Sequence, residues 1–207
     1  MPFEKGFGTI VAERVADLMV VIGIIIITLF LQFDFIWEFL STTFNPKSVL
    51  IGMSFLIVLF GVFVFYIKKS NSIIAQKVKS FISGLLEGVL SIFKMKKKWP
   101  FIFHTLFIWF MYVLMFYVTT FALKDLEGIP FGAVLIGFIS ASFSIAATNG
   151  GIGSYPIAVF AAFSIFGIAK DPSYAFGWIM WASQTLVLVS LGGISLLLLP
   201  IYNKNKI

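Results

Sequence analysis

From Ser48 to Ile67 the chain runs for 20 residues without a charged side chain. As an α-helix such a run is about 30 Å long, the thickness of the hydrocarbon core of a bilayer. Comparable apolar runs cover Val15 to Leu31, Pro100 to Leu123 and Tyr174 to Pro200, and each is predicted to be a span. Charged residues make up only 12% of the 207 and hydrophobic residues 60%, too little polar surface to cover a water-soluble domain. The runs are continuous rather than alternating, which argues against an outer-membrane barrel. The predicted class is all-α: a polytopic helical membrane protein whose residues 1–207 form one transmembrane domain.

Other classes are disfavoured by what the chain lacks. It has no cysteine and a single histidine, His104, so neither a disulfide framework nor a thiolate or histidine metal centre is expected. No serine–histidine–acid set or phosphate loop stands out, so we expect no catalytic residue, no cofactor and no enzyme. The net charge of +6 is not read as nucleic-acid binding. In a membrane protein, lysine placement reports orientation instead. With the stretch Lys68 to Lys98 placed in the cytoplasm, twelve of the fifteen basic residues share that side, Lys204 and Lys206 among them. Only Lys47, Lys124 and Lys170 fall opposite. The expectation is a multi-pass protein of the cytoplasmic membrane with both termini in the cytoplasm.

The connection between the first two spans, Gln32 to Lys47, reads as a loop. The stretch Ile74 to Phe93 does not. Its apolar residues, among them Val78, Phe81, Ile82, Leu85, Val89 and Ile92, fall on an arc of roughly 140° at helical spacing, opposite Lys77, Ser83, Glu87 and Ser91. This predicts an amphipathic helix on the inner membrane surface. Lys94, Lys96, Lys97 and Lys98 after it would sit among anionic lipid headgroups, or serve as a plain positive-inside anchor.

Two shorter apolar pieces, Phe131 to Ala147 and Tyr155 to Ala169, flank "TNGGIGSYP". At 17 and 15 residues both are short for a full crossing. Non-helical backbone cannot face lipid, because each unpaired N–H or C=O there costs several kcal/mol. The turn is therefore expected either to emerge on the cytoplasmic side or to be buried in protein, as in a re-entrant or short-helix hairpin. Asn149, Gly150, Gly151, Gly153, Ser154 and Tyr155 are the candidate site residues here. The start of the second piece would offer N–H donors to an anionic group, with Pro156 harmless in its first turn. Close packing of two helices on glycine explains the pattern equally well. Trp178 and Trp181 read as packing or interfacial belt residues.

A second candidate lies at the mouth of the first span, where "VAERVADLM" places Glu13, Arg14 and Asp17 on one helical face. Ionisable groups there must be paired or hydrated. Arg14 is the only arginine of the chain. Its planar fork suits bidentate contact with a phosphate or carboxylate. An interfacial cap paired with its own helix is the other reading.

These two motifs together carry a resemblance. "AERVADLMVV", followed far downstream by "GIPFGAVLIGF" and "NGGIGSYPIAV", resembles the lysylphosphatidylglycerol synthase transmembrane region, or flippase-like, family. Its members show a Glu-Arg-x-x-Asp-Leu helix start, matched by Glu13, Arg14, Asp17 and Leu18, and a Gly-Gly-Ile-Gly-x-x-Glu turn, matched by Gly150 to Gly153. The family's glutamate position holds Pro156, so a role for that carboxylate does not carry over, and Asn149 replaces the usual proline. Members are also longer at the start, which implies an N-terminally truncated chain. The resemblance implies binding or translocation of a membrane phospholipid or other polar lipid, with Arg14 and the broken hairpin contributing to a polar cavity. The alternative is a non-transporting subunit that docks an enzyme of lipid or glycan synthesis.

Overall fold

The computed structural model describes residues 3–43, 45–70 and 72–203. Among these residues there is no strand and there are eight α-helices: α1 (Phe3–Leu31), α2 (Phe33–Thr43), α3 (Pro46–Lys69), α4 (Ile73–Lys94), α5 (Lys98–Thr120), α6 (Phe131–Ala147), α7 (Ser154–Ser164) and α8 (Lys170–Asn203). Four stretches are long and apolar enough to cross a bilayer: Ala12–Leu31, Lys47–Lys69, Lys98–Thr120 and Lys170–Tyr202. They coincide with the four predicted spans. Lys204 and Lys206, counted above for orientation, lie outside the described residues.

The expected loop between the first two spans is instead the helix α2. Phe33, Ile36, Trp37 and Leu40 recur at i, i+3, i+4 and i+7, with Asp34, Glu38, Ser41 and Thr42 on another side. That helical period was hidden by the polar residues interleaved with it. Asn45 then stops the chain and restarts it: its side-chain oxygen accepts from the Lys47 N–H at 3.0 Å, with Pro46 in the first turn of α3.

The chain divides into two compact units, residues 1–109 and 110–207. In the first, α4 packs against α1 and α3, and α2 touches both α1 and α3. Ala12, Val15 and Ala16 of α1 meet Ile92 of α4, with Leu85, Val89, Met95, Phe101 and Ile102 around them. The helices approach most closely where Val15 lies over Gly88; a Cβ on Gly88 would come within 2.6 Å of Val15 Cγ2. The amphipathic helix is thus present where its period predicted, and part of its apolar arc is covered by α1 rather than left for lipid.

In the second unit α6, α7 and α8 pack side by side. Their core is aromatic: Phe116 of α5 has Phe138, Phe163 and Phe176 around it at ring-centroid distances of 5.9, 6.3 and 4.8 Å, all edge-on. Such edge-to-face contacts add roughly 0.5–1.5 kcal/mol per pair beyond burial. α7 ends earlier than the apolar pattern predicts. Gly167 adopts a left-handed φ of 73°, and the Ile168 N–H turns back to the Phe163 carbonyl at 3.2 Å. α7 and α8 touch backbone to backbone at Gly177, where an added Cβ would lie 2.5 Å from Pro156 Cα.

That contact gives a prediction. Gly177→Ala forces the two backbones apart and should destabilise the protein by about 1–3 kcal/mol. Gly192 in the same helix has open space at its Cβ position, so Gly192→Ala should be neutral or slightly stabilising. Thermal unfolding of the two variants in detergent checks the difference; equal midpoints would refute the close approach.

Candidate functional site

The first group sits on α1 and its neighbour in the same unit. Arg14 Nη1 lies 3.5 Å from Asp17 Oδ2, one turn further along α1. The other carboxylate oxygen of Asp17, Oδ1, accepts a hydrogen bond from Trp109 Nε1 at 3.0 Å. Asp17 is thus clamped between its own helix and α5. Arg14 is 78% exposed and Asp17 38%, so the pair itself contributes little to stability. Its significance is geometric. One edge of the guanidinium faces Asp17, and the rest of the fork projects outward with donors for an acceptor from outside. Glu13 is exposed beside it and stands outside this contact set. Arg14 and Asp17, predicted to share a face, are in contact, but Trp109, 92 positions away, carried no sequence signal that it would pin Asp17.

The second group is the turn between α6 and α7. At 17 and 11 residues these helices are about 25 and 16 Å long, so α7 in particular is half-length. Gly150, Gly151 and Gly153 take φ values of 80°, 76° and 72°. The left-handed region is open to glycine and strained for most other residues, which explains three glycines in four positions. The turn is neither wholly buried nor wholly outside. Gly151 and Tyr155 are buried, Ser154 and Gly153 half-buried, and Asn149 and Gly150 exposed.

A hydroxyl network closes the turn. Ser144 Oγ donates to Ser154 Oγ at 2.7 Å, and Thr148 Oγ1 lies 3.1 Å from the same oxygen. Thr148 Oγ1 donates to the Ser144 carbonyl at 2.7 Å and accepts from the Gly151 N–H at 3.0 Å. Each hydroxyl has one proton. Thr148 and Ser144 have used theirs, so Ser154 is the donor to Thr148. The protons therefore run in one direction around the ring. From α8, Trp181 Nε1 donates to the Gly150 carbonyl at 2.8 Å. The Tyr155 N–H, expected to be open to a ligand, donates to the Gly151 carbonyl at 2.9 Å. That donor, part of the predicted anion-binding capacity at the start of α7, is therefore used within the turn. The roles of Ser144, Thr148 and Trp181 were not read from the sequence. The one available signal was the i, i+4 spacing of Ser144 and Thr148 on the face that leads into the glycines.

Among the described residues no hydrogen bond joins the three hydroxyls to a His, Asp, Glu or Lys. No three His, Cys, Asp or Glu side chains among them come close enough to hold a metal. Lys94, Lys96 and Lys97 are exposed and Lys98 half-buried at the end of α4 and the start of α5.

Apolar spans, a broken hairpin and a charged helix mouth define a polytopic helical membrane protein. The chain belongs to the lysylphosphatidylglycerol synthase TM region family, whose model matches residues 1–193. Comparison with curated proteins and with solved structures gave no significant match.

The turn makes its own prediction. Trp181→Phe keeps an aromatic ring but removes the donor to Gly150, and should cost about 1 kcal/mol or more. Thr148→Val removes three hydrogen bonds and should cost more. Both should speed backbone amide exchange at Gly151 and Tyr155, read by hydrogen–deuterium exchange mass spectrometry in detergent. Unchanged exchange in both variants would mean that the network does not hold the turn.

Proposed function

We propose that this protein binds a polar phospholipid headgroup and moves it across the cytoplasmic membrane, without chemistry on the lipid. The reading rests on membership of the flippase-like family and, above all, on Arg14. An arginine at the mouth of a span is costly unless it has a partner. Here its anchor, Asp17, is fixed by Trp109, while most of the guanidinium is left exposed. A group held in this way is oriented before a ligand arrives, so less ordering entropy opposes binding.

The charge pattern narrows the headgroup. Arg14 suits a phosphate, and the exposed carboxylate of Glu13 next to it suits an amine. A headgroup carrying both would match the two together. The half-length hairpin carries hydroxyls and backbone groups but no charge of its own. Lys94, Lys96, Lys97 and Lys98 hold the basic side of the protein against anionic headgroups, each worth about 1 kcal/mol, and so set that side to the cytoplasm.

Proteoliposomes carrying fluorescent phosphatidylglycerol or phosphatidylethanolamine in both leaflets provide the test, with quencher added outside. Wild-type protein should make the inner-leaflet probe accessible. Arg14→Ala should slow this about 10- to 100-fold, the equivalent of one hydrogen bond to a charged group. Arg14→Lys should be intermediate, because an ammonium is a point charge without the fork. Wild-type rates from Arg14→Ala, in protein of unchanged helicity, would remove Arg14 from the function.

A further inference from the structure

α4 has a second apolar edge that α1 does not cover. Leu85, Gly88, Val89 and Ile92 turn toward α1. Val78, Ile82 and Leu86 are centred about 70° further round the helix, by the helical period. They face Phe63, Val64 and Ile67 at the end of α3, across a groove of about 360 Å³. That volume falls within the roughly 300–1,000 Å³ common for small-molecule sites. Phe63, Ile82 and Leu86 keep 45%, 47% and 59% of their surface exposed, so the groove is open to its surroundings.

Two basic residues border this otherwise apolar groove. Lys68 and Lys79, one from each helix, are among its lining residues. The corner between the helices is built to hold Lys79 in place. Ser72 caps α4 by accepting from the Ala75 N–H at 3.2 Å, and the Tyr66 hydroxyl donates to Ser72 Oγ at 3.2 Å. Lys79 Nζ then donates to the Ser70 carbonyl at 3.1 Å. This bond uses one of the three donors of the ammonium. An apolar trench along the end of a membrane span, bordered by two lysines where the span meets an amphipathic helix, complements the charge and polarity of an anionic lipid.

We infer that the α3–α4 corner is a binding site for an anionic glycerophospholipid, with an acyl chain along Phe63, Ile67, Ile82 and Leu86 and the phosphate between Lys68 and Lys79. The site belongs to the first unit alone and uses neither Arg14 nor the hairpin. It is a resident-lipid site rather than a transport site, and it stands whether or not the protein moves lipid.

The test is native mass spectrometry of the full chain released from detergent, titrated with dioleoylphosphatidylglycerol or dioleoylphosphatidylcholine. Wild-type protein should retain phosphatidylglycerol preferentially. Lys68→Gln and Lys79→Gln should each weaken that preference about fivefold, the equivalent of roughly one surface cation. Ile82→Trp should fill the groove and reduce retention of both lipids. Three results would overturn the inference. One is equal retention of the two lipids by wild type. Another is an unchanged preference in the Lys68→Gln/Lys79→Gln protein while substitution of Lys94 to Lys98 abolishes it, placing the lipid elsewhere. The third is full displacement by inorganic phosphate, which would show that the acyl chain adds nothing. Lys68→Gln leaves the hydrogen bonds named at this corner intact, so its folding should be unaffected. Lys79→Gln removes the bond to the Ser70 carbonyl, so thermal unfolding of that variant is compared with wild type before its lipid preference is read.

Discussion

Backbone polarity is the constraint from which the rest of this fold follows. In a bilayer no water satisfies a stray N–H or C=O, so each break in a helix must supply its own partners. The chain meets this demand differently at its breaks. Asn45 caps α3 and Ser72 caps α4, in segments where polar residues are plentiful. The turn after α6 has no charged residue within residues 131–169. It relies on Thr148, Ser144 and Ser154, and on an indole N–H from another helix. This explains why the glycines are not simply flexible. Their left-handed angles fold the backbone so that Thr148 Oγ1 reaches the Gly151 N–H and the Gly150 carbonyl turns toward Trp181.

Helix packing then follows from the size of side chains at a few contacts. Within lipid there is no hydrophobic drive to bring apolar helices together, so close contact and dispersion must do it. Gly177 against Pro156 and Gly137 against Phe163 let α7 seat on α8 and α6. The edge-on Phe116, Phe138, Phe163 and Phe176 rings fill the space this leaves. In the first unit Gly88 does the same for α1 and α4. By fixing α4 against α1 on one edge, it leaves the other edge to form a corner with α3.

The sequence made the spans legible because a run such as Ser48 to Ile67 has one plausible physical reading. It also made α4 legible, through a period that survives its lysines. It failed at α2, where apolar and polar residues alternate too closely for a loop and a short helix to be told apart. It overran α7, because the residues after Ser164 continue the apolar pattern while Gly167 turns the backbone. The candidate site was half legible. Arg14 and Asp17 are neighbours in sequence and so declared themselves. Trp109 and Trp181 act across long separations, and a tryptophan's partner at that range is set by tertiary packing, which no local pattern encodes.

The distribution of charge also limits what each part can contribute to recognising a lipid. Residues 131–169 carry no ionisable acid or base beyond tyrosine, so the hairpin can offer only hydroxyls, peptide dipoles and aromatic surface. Compensation of a phosphate's charge has to come from outside it. In the first unit, the lysines near the helix ends are flexible point charges suited to holding a headgroup at a surface. Arg14 differs in kind: a planar fork, with its counter-charge pinned by Trp109 rather than free to follow. A mobile partner would collapse onto the arginine and neutralise it. With Asp17 one turn away at 3.5 Å, a phosphate, on the proposed reading, would share the guanidinium without first breaking a tight salt bridge. On that reading, an arginine with its fork largely exposed would do what an ordinary interfacial cap, spent on its own helix, would not.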